Sequence, residues 1–92
     1  MNEYNDALSS LKTSGVQVEY SEYSEQHFGS WFIDVVSNPT YRLCFDGRDK
    51  NISIQLQKEY GWDTLVYSSL ESHEEIIERF IREVNALWDT PQ

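Results

Sequence analysis

The sequence predicts an α+β fold in two layers: an antiparallel sheet of four to five strands, with a short N-terminal helix and a longer C-terminal helix packed on it. Three observations lead there. From Phe28 to Gln57, three runs alternate large apolar residues with polar ones and are parted by turn residues, the pattern of an antiparallel meander with one buried and one wet face. Near each end of the chain, apolar residues recur at helical rather than strand spacing. The C-terminal stripe carries Phe80 and Trp88, which need a surface to cover, and the sheet is the surface available.

The elements follow in order. Tyr4, Ala7, Leu8 and Leu11 predict a helix over residues 3–13, stopped at Ser14-Gly15. Val16, Val18 and Tyr20 alternate with Gln17, Glu19 and Ser21, which predicts a first strand over 16–23 with those three apolar side chains on one face; residues 22–27 read as an acidic loop or the frayed end of that strand. The second strand puts Trp31, Ile33 and Val35 opposite Phe32, Asp34 and Val36, and ends at Asn38-Pro39, because proline cannot donate to a strand ladder. A third strand, Tyr41 to Asp46, turns Tyr41, Leu43 and Phe45 to one side and Arg42, Cys44 and Asp46 to the other. After the Asp46-Gly47 turn, Ile52, Ile54 and Leu56 face in while Ser53, Gln55 and Gln57 face out, the cleanest alternation in the chain. Gly61 opens a fifth strand over Trp62 to Tyr67 whose parity is ambiguous, since both faces carry apolar residues. Ser72 with Glu75 forms a capping box for a helix reaching about Trp88, with Ile77, Phe80, Ile81, Val84, Leu87 and Trp88 as its apolar stripe and residues 89–92 as a frayed tail.

Ninety-two residues suit one domain spanning 1–92, with three Trp and six Tyr supplying the large side chains a small core needs. The formal charge of −9 is uneven: residues 1–34 and 61–92 each carry a net −5, while residues 35–60 carry +1. Acidic flanks repel nucleic acid and anionic membrane and speed encounter with a basic partner; the plainer alternative is that the charge serves solubility. Cys44, the only cysteine, excludes an internal disulfide and fits a reducing compartment. Its outward parity leaves two readings, a small residue buried on a second packed face or a partly exposed thiol. The first residues, Met1-Asn2-Glu3-Tyr4, do not read as a signal peptide, and no run has the length of a membrane span.

Chemistry-bearing patterns are few. Paired carboxylates among Asp34, Asp46, Asp49 and Asp63 would need a cleft that a meander does not imply, and Asp46 and Asp49 are explained by turn hydrogen bonding. The sequence therefore predicts no catalytic residues, hence no enzyme. His27 and His73 lack partners at a metal-ligand spacing, and Asp46-Gly47-Arg48-Asp49 lacks the spaced acids of a calcium loop, so neither a metal nor a cofactor is expected. Basic residues at 42, 48, 50 and 58 are interleaved with acids, which disfavours nucleic acid. In Glu19-Tyr20-Ser21-Glu22-Tyr23-Ser24-Glu25, glutamates recur every third residue beside two tyrosines. Such a segment is a candidate docking surface for a basic protein, or an edge strand guarded from aggregation by charge.

The block Phe28-Gly29-Ser30-Trp31, with Tyr41-Arg42-Leu43 and Phe45-Asp46-Gly47-Arg48-Asp49 leading into an Ile/Leu-Gln strand, resembles small bacterial immunity proteins encoded beside secreted polymorphic or contact-dependent toxins. The resemblance covers residues 28–57 and is structural in kind, so it transfers no binding residue. It implies a cytoplasmic inhibitor, with no membrane partner, that binds a cognate toxin domain, often a nuclease with a basic active site. From the charge pattern the expected contact residues are Glu19, Glu22, Tyr23 and Glu25, then Asp46 and Asp49. A monomer when free fits the inhibitor. A small acidic secretion chaperone holding an effector segment is the alternative, and a homodimer with an exposed apolar groove would mark it.

Overall fold

The computed structural model describes residues 2–68 and 73–89, with side chains described over 3–65 and 73–86. In chain order the elements are α1 (Asn2–Thr13), β1 (Val18–Ser24), a 3-10 turn (Glu25–His27), β2 (Ser30–Val35), β3 (Tyr41–Asp46), β4 (Asn51–Lys58), β5 (Gly61–Ser68) and α2 (His73–Asp89). The strands form one antiparallel sheet in sequence order, β1-β2-β3-β4-β5, as expected of a meander. Ser72 of the expected capping box and residues 90–92 of the expected tail lie outside the described residues, while Asp89 is still helical.

Both helices lie on the same sheet face. Ala7 and Leu11 of α1, Trp31, Ile33 and Val35 of β2, Leu43 and Phe45 of β3, Ile52 and Ile54 of β4, and Phe80 and Val84 of α2 belong to a single buried cluster. Ile77 and Ile81 pack against it half-buried, as does Ile76, which adds an edge to the predicted stripe; the side chains of Leu87 and Trp88 lie outside the described ones. Aromatic contacts join the layers: Tyr4 of α1 meets Tyr23 and Trp31 at centroid distances of 5.5 and 5.9 Å, and Tyr41 meets Phe80 edge-on at 6.2 Å. The Tyr4 hydroxyl shares a 2.7 Å hydrogen bond with Ser21, tying α1 to β1. The indole N–H of buried Trp31 finds no acceptor among the described residues.

Two register shifts correct the strand readings. Val18 pairs with Val35, but Tyr20 pairs with Asp34, so the ladder slips between Val18 and Tyr20. Tyr20 therefore turns away from the core rather than sharing the face of Val18, and Ser21 and Tyr23 turn towards it. A bulge inserts one residue and reverses the parity of everything after it. The second shift, between Ile54 and Gln55 on β4, sets Val66 opposite Ile54 but Thr64 opposite Gln55. This resolves the ambiguity of β5: Trp62 and Thr64 share the outward side of Gln55 and Gln57, and exposed Leu65 is the extra residue. The first strand also starts later than expected, at Val18, with Val16 buried in the preceding coil.

Candidate functional site

No described helix covers the second face of the sheet. Across it, β1 to β5 present Tyr20, Asp34, Arg42, Gln55 and Thr64 in one row, and Glu22, Phe32, Cys44 and Ser53 in the next. The Arg42 guanidinium is held from three sides. Its Cζ lies 4.1 Å from the Phe32 centroid and 4.0 Å from that of Trp62, and it donates to both carboxylate oxygens of Asp34, Nε to Oδ1 at 2.6 Å and Nη2 to Oδ2 at 3.0 Å. The planar, weakly hydrated guanidinium suits this arrangement of two rings and a forked acceptor. The hydrogen bond to Asp34 raises the Arg42 pKa further above its usual value, so the side chain stays charged. Tyr20 extends the aromatic row, 5.7 Å from Phe32, and its hydroxyl donates to Glu22 Oε1 at 3.1 Å. That bond raises the tyrosine's pKa, because it is made by the neutral phenol to a carboxylate.

Beside this row, towards the loops 25–29 and 47–50, the open face hollows into a concavity of about 590 Å³. Its origin is the run of small outward side chains, Ser30, Cys44 and Ser53, on three adjacent strands between the rings of Phe28 and Phe32. Glu22 and Asp46 stand at its rim with Arg48. The loops that frame it are locked together. The Gly47 N–H donates to Ser30 Oγ at 2.9 Å, and a Cβ on Gly47 would collide with the Phe28 carbonyl oxygen. Phe28 takes a left-handed backbone conformation, φ 62°, with its ring 67% exposed and the Arg48 guanidinium 5.9 Å above it. Two of the sequence blocks singled out above, residues 28–31 and 45–49, thus form one packed corner.

Four of the expected contact residues gather at this end. Glu22 and Asp46 line the concavity, exposed Glu25 lies in the adjacent 3-10 turn, and exposed Asp49 lies in the β3–β4 turn. Asp46 also has the turn role considered for it, since its Oδ1 accepts from the backbone N–H groups of Arg48 at 2.9 Å and Asp49 at 3.4 Å. Glu19 lies apart, exposed at the β1 bulge near the opposite end of the strands. Tyr23 faces the helix side, half-buried against Tyr4, with its hydroxyl over Gly29. The alternation of Glu19 to Glu25 thus splits across both faces. Phe28, Phe32, Arg42 and Trp62 were not among the expected contacts; the outward parity of Phe32 and Arg42 was readable in the sequence, whereas that of Trp62 is readable only once the β5 bulge is known.

The chemistry available at the concavity is limited. Cys44 is half-buried, its Sγ 3.4 Å from Gln55 Oε1, which lies between the two readings open from sequence. Burial pushes its thiol up to about 11, so at neutral pH it holds its proton and is a poor nucleophile. Ser24 Oγ and His27 Nδ1 share a 2.6 Å hydrogen bond, but they are three residues apart across an exposed 3-10 turn, where a local bond of this kind closes the turn. Among the described residues, no three His, Cys, Asp or Glu side chains gather as a metal-binding group, and no helix is long and apolar enough to cross a membrane. No family model, curated protein or solved structure matches the chain.

Proposed function

We propose that the chain is a noncatalytic bacterial immunity protein that binds and neutralises a cognate toxin domain with a basic, nuclease-type active site. It acts in the cytoplasm, as a monomer when free, within a contact-dependent growth-inhibition system. The observation that carries the reading is the open sheet face, where an aromatic and arginine row leads into a concavity with Glu22 and Asp46 at its rim. Exposed aromatic surface beside carboxylates is the composition of a docking face for a basic protein, and a net charge of −9 steers that partner in. The resemblance of residues 28–57 points the same way. Carboxylates at such a face stand in for the phosphates that a nuclease contacts.

The test is binding kinetics against the product of the neighbouring open reading frame at low and high salt, with rescue of cells expressing it. Glu22→Lys with Glu25→Lys should slow association about tenfold or more, weaken its salt dependence and leave the fold intact, as expected for charges at an interface rim. If the wild-type chain neither binds nor rescues, the inhibitor reading is rejected. The secretion chaperone is a second reading, favoured by one observation: Tyr20 and Phe28 are exposed, 54% and 67%, on a face that no described helix covers and that has room for an extended segment. A stable homodimer in solution would shift the assignment to it.

A further inference from the structure

We infer that the concavity between Phe28 and Phe32 is a receptor for one arginine side chain presented by the basic partner, an inference that rests on the inhibitor reading above. The same face already shows how it holds a guanidinium. Arg42 lies between two rings and against a forked carboxylate, within 4.1 Å of each centroid. The concavity offers ring surface and carboxylates again, and among the described residues no side chain fills its floor. Phe28 and Phe32 supply ring surface, Cys44 and Ser53 leave the depth, and Glu22 and Asp46 supply carboxylates at the rim.

Those carboxylates are available. Among the described residues neither takes part in a salt bridge; Glu22 accepts from the Tyr20 hydroxyl, and Asp46 from two backbone N–H groups. Each retains acceptor capacity, since an ionised carboxylate has about four lone-pair sites. Arginine fits better than lysine because its flat, weakly hydrated head stacks on rings and donates in a fork, while an ammonium keeps its water. Arg48, exposed and 5.9 Å from the Phe28 centroid, is a resident cation at the mouth, at the outer limit of a cation–π contact. An incoming arginine must displace or share with it, so Arg48 weakens the receptor in the free protein.

The experiment is a titration of the full chain, followed by amide chemical shifts, with three blocked amino acids: N-acetyl arginine amide and its lysine and norleucine counterparts. The expected result is saturable shifts centred on Glu22, Phe28, Phe32 and Cys44, with arginine bound about tenfold more tightly than norleucine and lysine between them. Glu22→Gln and Phe28→Leu should each weaken arginine several-fold, and Arg48→Ala should strengthen it. The spectra themselves report whether each variant is folded. Equal affinity for all three compounds, shifts scattered over the acidic surface, or no saturable shift would overturn the inference. Toxin binding without arginine recognition overturns the receptor and leaves the inhibitor reading standing; arginine recognition in a chain that binds no toxin does the reverse.

Discussion

Along β2, β3 and β4, Ile33, Leu43 and Ile54 are wholly buried under the helices, while Phe32, Cys44 and Ser53, cross-strand partners on the other face, line a concavity that no described helix covers, with Ser53 buried at its floor. The covered face uses aliphatic and aromatic side chains that gain only from leaving water. The open face uses Tyr20, Arg42 and Trp62, which have apolar bodies and polar or charged ends and so tolerate water without collapsing onto one another. If the open face is the docking surface proposed above, the two faces divide the work: substitutions on the covered face should be read in the melting curve, and those on the open face in binding.

The largest expected effect breaks the covered face. Phe80→Ala removes a fully buried ring from the centre of α2, and the loss should be about 3–5 kcal/mol, enough to unfold much of a domain this size; thermal and urea unfolding measure it. Next is Gly47→Ala at the corner joining the faces. The atom its Cβ meets is a backbone oxygen of Phe28, which cannot rotate away, so the cost should approach the upper end of overpacking, about 3 kcal/mol. Arg42→Ala belongs to the open face and should cost less, about 2 kcal/mol, because it removes charge-assisted bonds and ring contacts at a site still partly reached by solvent.

The smallest effect is a pH dependence. Burial raises the Cys44 thiol from its ordinary 9.0 to about 11, so the folded chain holds this proton more tightly than the unfolded one. The contribution is complete below pH 9 and disappears as pH rises from 9 to about 11. Over that window wild type should lose more stability than Cys44→Ala. The comparison is needed because the phenols of Tyr20 and Tyr41 are shifted upward as well, the first by its bond to Glu22 and the second by burial, and both proteins share them. Parallel curves for the two proteins would place the thiol in water.

The strands from Trp31 to Leu56 were legible because their alternation is uninterrupted and the turns between them carry Pro39 and Gly47. The α2 stripe was legible for the same reason at helical period. What the sequence hid are two bulges. Neither carries a glycine at the inserted position, so nothing local marks that Tyr20 leaves the face of Val18 or that Leu65 is an extra residue between Thr64 and Val66. That error propagated to the site. Read with unbroken parity, Tyr23 faces outward with Glu19 and Glu25 while Tyr20 and Glu22 face the core, whereas in the fold the bulge exchanges them, so that Tyr23 joins the core and Tyr20 and Glu22 face outward. The concavity was hidden for another reason: it is made by absence of bulk at Ser30, Cys44 and Ser53, a property of three strands in register that no single strand records.

The division between the faces is tested most directly by Cys44, the single cysteine of the chain and part of the lining of the open concavity. Its alkylation by iodoacetamide in mildly alkaline buffer, followed by intact mass, can be timed in the free protein and in the complex with the neighbouring gene product. Docking on the open face predicts alkylation slowed at least about tenfold in the complex, with the free rate restored when the complex is dissociated by high salt. A complex that forms and inhibits while Cys44 reacts at the free rate would contradict it and move the interface to the helix side.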